Sequence, residues 1–275
     1  MKKYKQPYSG RGRGRASLLS IMLSLLALII GTAGASENVS ERGENRARLE
    51  PQGFIYGAAL GIDSGIYEDF DQRVTALPLL GYRGERLSVF GPFVSWQAAE
   101  LGQFEIDLRL SPRFDGFDES DSDIFEGMEE REISMDAGFG LAYERNNWKV
   151  ELASLHDVLD RSDGRELSLG LARVYRAGPF FIEPGIGLSY LDSRHVDYYY
   201  GVAATEATAF RPAYDGDSAL NTTLGITLAT PAFLGGLTRI VIENTWFDSA
   251  ISDSPLTDGD SSLSLFVAFS KFFGS

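Results

Sequence analysis

Apolar and polar residues alternate along most of this chain from Gly53 onward. Phe104, Ile106, Leu108 and Leu110 share one face of an extended segment, and Glu105, Asp107 and Arg109 share the other. The same parity sets Leu167, Leu169 and Leu171 against Ser168, Gly170 and Ala172. It sets Phe180, Ile182, Ile186 and Leu188 against Glu183, Gly185, Gly187 and Ser189. It returns with Leu224, Ile226 and Leu228 against Thr223, Gly225, Thr227 and Ala229, and with Ile240, Ile242 and Trp246 against Arg239, Glu243 and Thr245. A period of two signals strands, and no segment carries a convincing helical period. In the last strand, Leu263, Leu265, Val267, Phe269 and Phe273 oppose Ser262, Ser264, Ala268 and Ser270. That strand is long enough to cross a bilayer at a tilt.

A soluble sandwich would show the same alternation, so other features decide the class. The polar face is rich in Gly, Ala, Ser and Thr, as a crowded lumen requires. Aromatic residues (Tyr56, Tyr82, Trp96, Tyr143, Trp148, Tyr175, Tyr190, Trp246) sit near strand ends, as interfacial girdles do. The segments are also longer than ordinary globular strands. The pattern predicts an all-β fold, an antiparallel transmembrane β-barrel. Strands are expected near 53–62, 73–82, 86–98, 103–112, 132–144, 147–157, 165–176, 178–190, 219–230, 237–247 and 261–272. Those are eleven, and single-chain bacterial barrels have an even number. The expected count is therefore twelve, with the missing strand in 193–205; ten is the alternative. Connections alternate from residue 96 onward: short near 100–102, 145–147, 177–178 and 234–236, long at 112–131, 157–164, 191–218 and 248–260. Short turns belong to the periplasmic end and long loops to the outside.

The N-terminus agrees with export. Lys2, Lys3, Lys5, Arg11, Arg13 and Arg15 precede an apolar run from Ala16 to Ile30 and a small-residue cleavage site, Ala33-Gly34-Ala35. Residues 1–35 read as a signal peptide, 36–52 as a flexible periplasmic leader, and 53–275 as the outer-membrane barrel. Loss of residues 1–35 removes six bases and no acid, leaving 19 basic against 39 acidic residues, a net charge of −20. So acidic a chain is a poor nucleic-acid binder. There is no cysteine, which excludes a disulfide scaffold and thiolate metal sites.

The parity assigns charges to the lumen. If the apolar face meets lipid, Glu105, Asp107, Arg109, Lys149, Glu151, Glu183, Arg239 and Glu243 point inward. Placing Arg or Lys on the lipid face at mid-bilayer would cost about 2–4 kcal/mol. Inward charges fit either a cation-preferring pore or an ion network that holds the barrel shut. Residues 115–132 form an acidic loop, with Asp115, Asp118, Glu119, Asp121, Asp123, Glu126, Glu129, Glu130 and Glu132 against Arg131. Its spacing matches no Ca²⁺ loop, and a solvated loop is preferred to a cation site. His156 and His195 lack the constellation a nucleophile needs. No catalytic residue, cofactor or metal site is expected.

One stretch is more specific. Asp197-Tyr198-Tyr199-Tyr200-Gly201-Val202, then Glu206-Ala207 and Arg211-Pro212-Ala213-Tyr214, resembles the signature of the MipA/OmpV family. Leu77-Pro78-Leu79-Leu80 with Tyr82-Arg83, Gly127-Met128-Glu129 and His156-Asp157-Val158 are similar to it as well. The segment Asp63 to Phe70 departs from the family by lacking its proline, and the chain ends on Gly274-Ser275 rather than an aromatic residue. The resemblance implies an outer-membrane barrel of a Gram-negative bacterium, surrounded by lipid and lipopolysaccharide. One member is a scaffold joining a murein hydrolase to a murein synthase; others are linked to adhesion, osmotic response and antibiotic susceptibility. A non-enzymatic envelope scaffold is the leading expectation. A small-solute or cation channel, and surface binding through the acidic loop, are the alternatives. Phe273 is the residue the assembly machinery is expected to read.

Overall fold

The structure, a computed structural model, describes residues 52–69 and 73–273. The expected signal peptide, all but the last residue of the leader, and Gly274-Ser275 lie outside the described residues. Twelve antiparallel strands close into a barrel. They are β1 (Gly53–Asp63), β2 (Arg73–Arg83), β3 (Leu87–Phe90), β4 (Phe93–Leu101), β5 (Phe104–Arg113) and β6 (Ser134–Arg145). Then follow β7 (Trp148–Asp157), β8 (Arg165–Arg173, resumed at Tyr175–Ala177), β9 (Phe180–Leu191), β10 (Ala219–Phe233), β11 (Gly236–Trp246) and β12 (Ser261–Phe273). Each strand pairs with its sequence neighbours, and β12 returns to β1 from Phe54↔Phe273 to Asp63↔Ser264. The break in β8 lies opposite Pro184, which has no N–H to give to the ladder.

The expected total of twelve is correct, but the hidden strand is not in 193–205. That region holds a helix, α1 (Ser193–Tyr200), started by Asp192, whose side chain accepts from the His195 N–H. The extra strand comes from 86–98, which Gly91 and Pro92 divide into β3 and β4. Gly91 takes a positive φ of 56°, which a glycine adopts without strain. Phe90 and Phe93 on either side keep the apolar run unbroken, so the hairpin reads as one strand.

Gly53, Phe273 and the tight connections 84–86, 102–103, 146–147, 178–179 and 234–235 share one end. Asn146 and Asn147 both take positive φ there, the conformation of a two-residue hairpin. The long connections 64–72, 114–133, 158–164, 192–218 and 247–260 share the other end. Apolar side chains such as Leu108, Phe139, Leu167, Leu224 and Leu263 are exposed on the outer face. Ser262, Ser264 and Ser270 are buried inside. Tyr56–Phe273 and Phe104–Tyr143 ring pairs, at 4.5 and 4.8 Å between centroids, mark the short-turn rim.

The lumen is not uniformly polar, however. Phe266 and Val241 face inward and pack with Ala59, Leu79 and Phe93 into a buried cluster on one side of the barrel. Burial of large apolar groups fills that half, while β5 to β10 present charges and small residues to the other half.

Candidate functional site

Two ionic clusters occupy the polar half of the lumen. In the lower one, Arg109 pairs with both Asp107 and Glu151, its Nη2 donating to Asp107 Oδ2 at 2.9 Å. Room for that guanidinium comes from Gly140 on the neighbouring strand, where any Cβ would collide with it. Lys149 donates to Glu183 at 2.7 Å. In the upper cluster Arg113 is held by Asp136 (Nε to Oδ2, 2.8 Å), Glu166 (2.7 Å) and Asp115 (3.2 Å). His195 of α1 stands 3.6 Å from Asp115, so the helix rests on this cluster. Buried charges cost several kcal/mol each to desolvate, so removal of one partner is far more damaging than the pair is stabilising.

Of the eight expected lumen charges, Asp107, Arg109, Lys149, Glu151 and Glu183 meet in these pairs. Glu105 lies at the short-turn rim, cross-strand from Glu100. Arg239 lies on the opposite wall and lines a cavity of about 60 Å³ together with Arg83. Glu243 faces Gly225 and lines a larger cavity of about 130 Å³. That cavity exists because Ser168, Gly170, Gly185, Gly187 and Thr223 carry little side chain into it. Five acids, Asp136, Glu151, Glu166, Glu183 and Glu243, and three bases, Arg109, Arg113 and Lys149, surround it.

The expected set omitted Arg113, Asp136 and Glu166. The signal was present: Arg113 continues the parity of Glu105, Asp107 and Arg109, and Glu166 that of Ser168 and Gly170. Arg113 lies one residue beyond the strand expected at 103–112, while Asp136 and Glu166 lie near the ends of strands that were expected.

Above the upper cluster the long loops fold together into a cap with its own core. Tyr199, Tyr200 and Val196 from α1, Phe117, Phe125 and Met128 from 114–133, Tyr67 from 64–69 and Ile251 and Leu256 from 247–260 are all buried in it. Tyr67 stacks on Tyr200 at 5.5 Å and donates to the Tyr199 carbonyl at 3.1 Å. Ser254 donates to the Tyr200 carbonyl at 2.6 Å. Burial takes the Tyr67 and Tyr199 hydroxyls well above their ordinary range, so both stay neutral donors. Gly201 ends the helix where a Cβ would strike the Asp197 carbonyl. The motif Tyr198-Tyr199-Tyr200-Gly201-Val202 is thus the centre of the cap.

Polar residues tie the cap's two largest loops together. Arg131 forms a two-bonded pair with Glu206, at 2.7 and 3.0 Å. Burial pushes the Glu206 carboxyl up, but hydrogen bonds from Arg131 and from the Glu129 and Ala203 N–H groups outweigh it and hold it below its ordinary range. Arg211 donates to the carbonyls of Glu206, Ile124 and Glu126. The acidic loop is therefore a built part of the cap. Asp115 is buried toward Arg113, while Asp118, Glu119, Asp121, Asp123, Glu126, Glu129 and Glu130 are exposed. Among the described residues no group of acids or histidines is arranged to hold a metal ion. His156 lies apart, its Nδ1 against the Gly164 carbonyl at 3.0 Å.

The sequence profile described as "MltA-interacting protein MipA" matches residues 56–273. Over 209 residues the chain is 27% identical to the outer membrane protein Omp26La of Vibrio anguillarum, covering 74% of this chain and 80% of that one. It is 25% identical to the outer membrane protein OmpV of Vibrio cholerae over 236 residues, covering 84% and 90%. It is 25% identical to the MltA-interacting protein of Escherichia coli over 210 residues, covering 74% and 84%.

Proposed function

The chain belongs to the MipA family of outer-membrane proteins, and from that premise we propose that it is a non-enzymatic structural component of the envelope, a platform for murein-processing enzymes. The observation that carries this reading is the capped, ion-filled interior. Tyr199, Tyr200 and Phe125 pack across the long-loop end, and the Arg113 cluster lies directly beneath. A barrel closed in this way offers surfaces rather than a passage. The short-turn end, with its tight turns and the start of β1 at Gly53, is the part that a periplasmic hydrolase or synthase would meet. The relative named for an interaction with MltA supports that choice of partner. Phe273, outward-facing beside Tyr56, is the residue we expect the assembly machinery to bind.

Affinity capture from detergent-solubilised envelopes tests the scaffold. Retention of a murein hydrolase or synthase by the intact barrel, and its loss when residues 36–52 are deleted, is the expected result. Failure to retain any periplasmic enzyme argues against it. A second reading, passage or binding of small cations, is favoured by the cavity with five acids against three bases. Single-channel recording separates the two.

A further inference from the structure

The barrel wall is not of even height. β3 has only four residues and pairs with β2 at Gly81, Tyr82 and Arg83 alone. β4 pairs with β5 no higher than Leu110. Among the described residues, β2 from 73 to 80 therefore has only β1 beside it, and β5 from 111 to 113 only β6. Two strands are missing from the upper wall. The gap is about 10 Å wide and runs about 25 Å along β2 at ordinary strand spacing and rise.

An open sheet edge is costly in lipid, where unpaired backbone groups have no water. Each bank places a proline at one position where an N–H would otherwise be left unpaired. The Leu80 carbonyl accepts from the Gly91 N–H at 2.8 Å, so Leu80 turns its backbone groups toward the gap side. Backbone groups alternate sides along a strand, so residue 78 turns the same way. It is proline and has no N–H to leave unpaired. On the other bank the Met135 carbonyl accepts from Val158, so Met135 faces β7. Its cross-strand partner, Pro112, then faces away from β6 and into the gap, again with no N–H. The rim, residues 74–82, 87–96 and 110–112, carries one charge-free sequence after another: Val-Thr-Ala-Leu-Pro-Leu-Leu-Gly-Tyr, Leu-Ser-Val-Phe-Gly-Pro-Phe-Val-Ser-Trp and Leu-Ser-Pro.

Behind the gap lies the apolar half of the lumen. Leu79, Phe93 and Phe266 are buried there, with Phe90 and Phe114 partly buried against them. Leu77 shares the inward face of Leu79 yet is 37% exposed, whereas Ala59, opposite it on β1, is 6% exposed. Val74 and Leu80 on the outer face of the same strand are 60% and 67% exposed.

We propose that this gap seats an acyl chain of an outer-leaflet lipid, which enters sideways from the bilayer and lies against Leu77, with the packed Leu79 and Phe93 as the floor beneath it. A membrane lipid is the occupant because the gap opens inside the lipid-facing band and its rim between Arg73 and Arg113 is uncharged. The prolines on both banks disfavour an added strand from another chain. The seat is independent of whether the barrel holds a periplasmic enzyme.

The chain has no cysteine, so a single one can carry a fluorophore without background. Bimane on L77C, in vesicles containing phospholipid with dibrominated acyl chains, should be quenched as strongly as on the outward L169C and several-fold more than on the inward S168C. Quenching no stronger than at S168C overturns the proposal. T75C, on the same face of β2, replaces L77C if that variant does not fold. In the unmodified protein, a phospholipid with a diazirine in its acyl chain should label the 77–93 segment on irradiation. Adducts confined to outward residues, or formed only by a free diazirine fatty acid, would overturn it as well.

Discussion

At the scale of single residues, the decisive groups are those that cannot be replaced without leaving a buried charge or a collision. Arg113 is shared by three carboxylates. R113M should cost about 3–5 kcal/mol, since three acids lose their cation. The loss would show as a lower temperature for conversion of the compact to the unfolded band on gels, with E166Q in the same background recovering part of it. An unchanged conversion temperature would mean the cluster is solvated. Gly201→Ala should push against the Asp197 carbonyl and loosen α1. Limited proteolysis should then cut 192–218 while the barrel keeps its heat-modifiable band. Residue identity was only partly legible from sequence. Alternation revealed Asp107, Arg109 and Glu151 because each stands between apolar neighbours of opposite parity. Phe266 and Val241 break the expected polarity of the inner face, and only the packing of β1, β2, β4, β11 and β12 around them explains why.

At the scale of elements, strands were legible and the cap was not. A strand that faces lipid on one side must alternate, and that constraint writes itself into nearly every segment. The cap is held by contacts between loops far apart in sequence, such as Arg131 with Glu206 and Tyr67 with Tyr200. No local period encodes them. α1 was missed for the same reason: Tyr199 and Tyr200 are buried by other loops rather than by one apolar stripe. The Glu206 carboxyl gives this element a pH signature. Its pKa is lower in the folded cap than the value of about 4.3 in an unfolded chain. Such a group stabilises the cap above the unfolded value, and that contribution disappears as pH falls through the folded value. Protease cleavage of 114–133 and 192–218 should therefore rise together below about pH 4. E206Q should be cleaved faster at neutral pH and show a flatter pH response. Independent cleavage of the two loops would mean the Arg131–Glu206 pair does not join them. At the other end, F273A should lower the amount of barrel assembled in the outer membrane while leaving export across the inner membrane intact. Equal amounts of assembled protein would remove Phe273 as the assembly signal.

At the scale of the molecule, the barrel has three distinct regions: a cap at the long-loop end, a charged half-lumen beneath it, and an apolar half-lumen behind the low β3–β4 wall. The expected count of twelve strands was correct although the position of the twelfth was not, because an even count follows from closure and not from any one segment. Whether a barrel of this size is open or filled cannot be read from parity, since both arrangements place charges inside. The central claim is that cap and ion clusters close this interior. Planar-bilayer recording of the purified barrel tests it most directly. The intact protein should give no steady conductance, and replacement of 193–214 by a short linker should create one. Ohmic conductance from the intact barrel, altered by R109A, would contradict it.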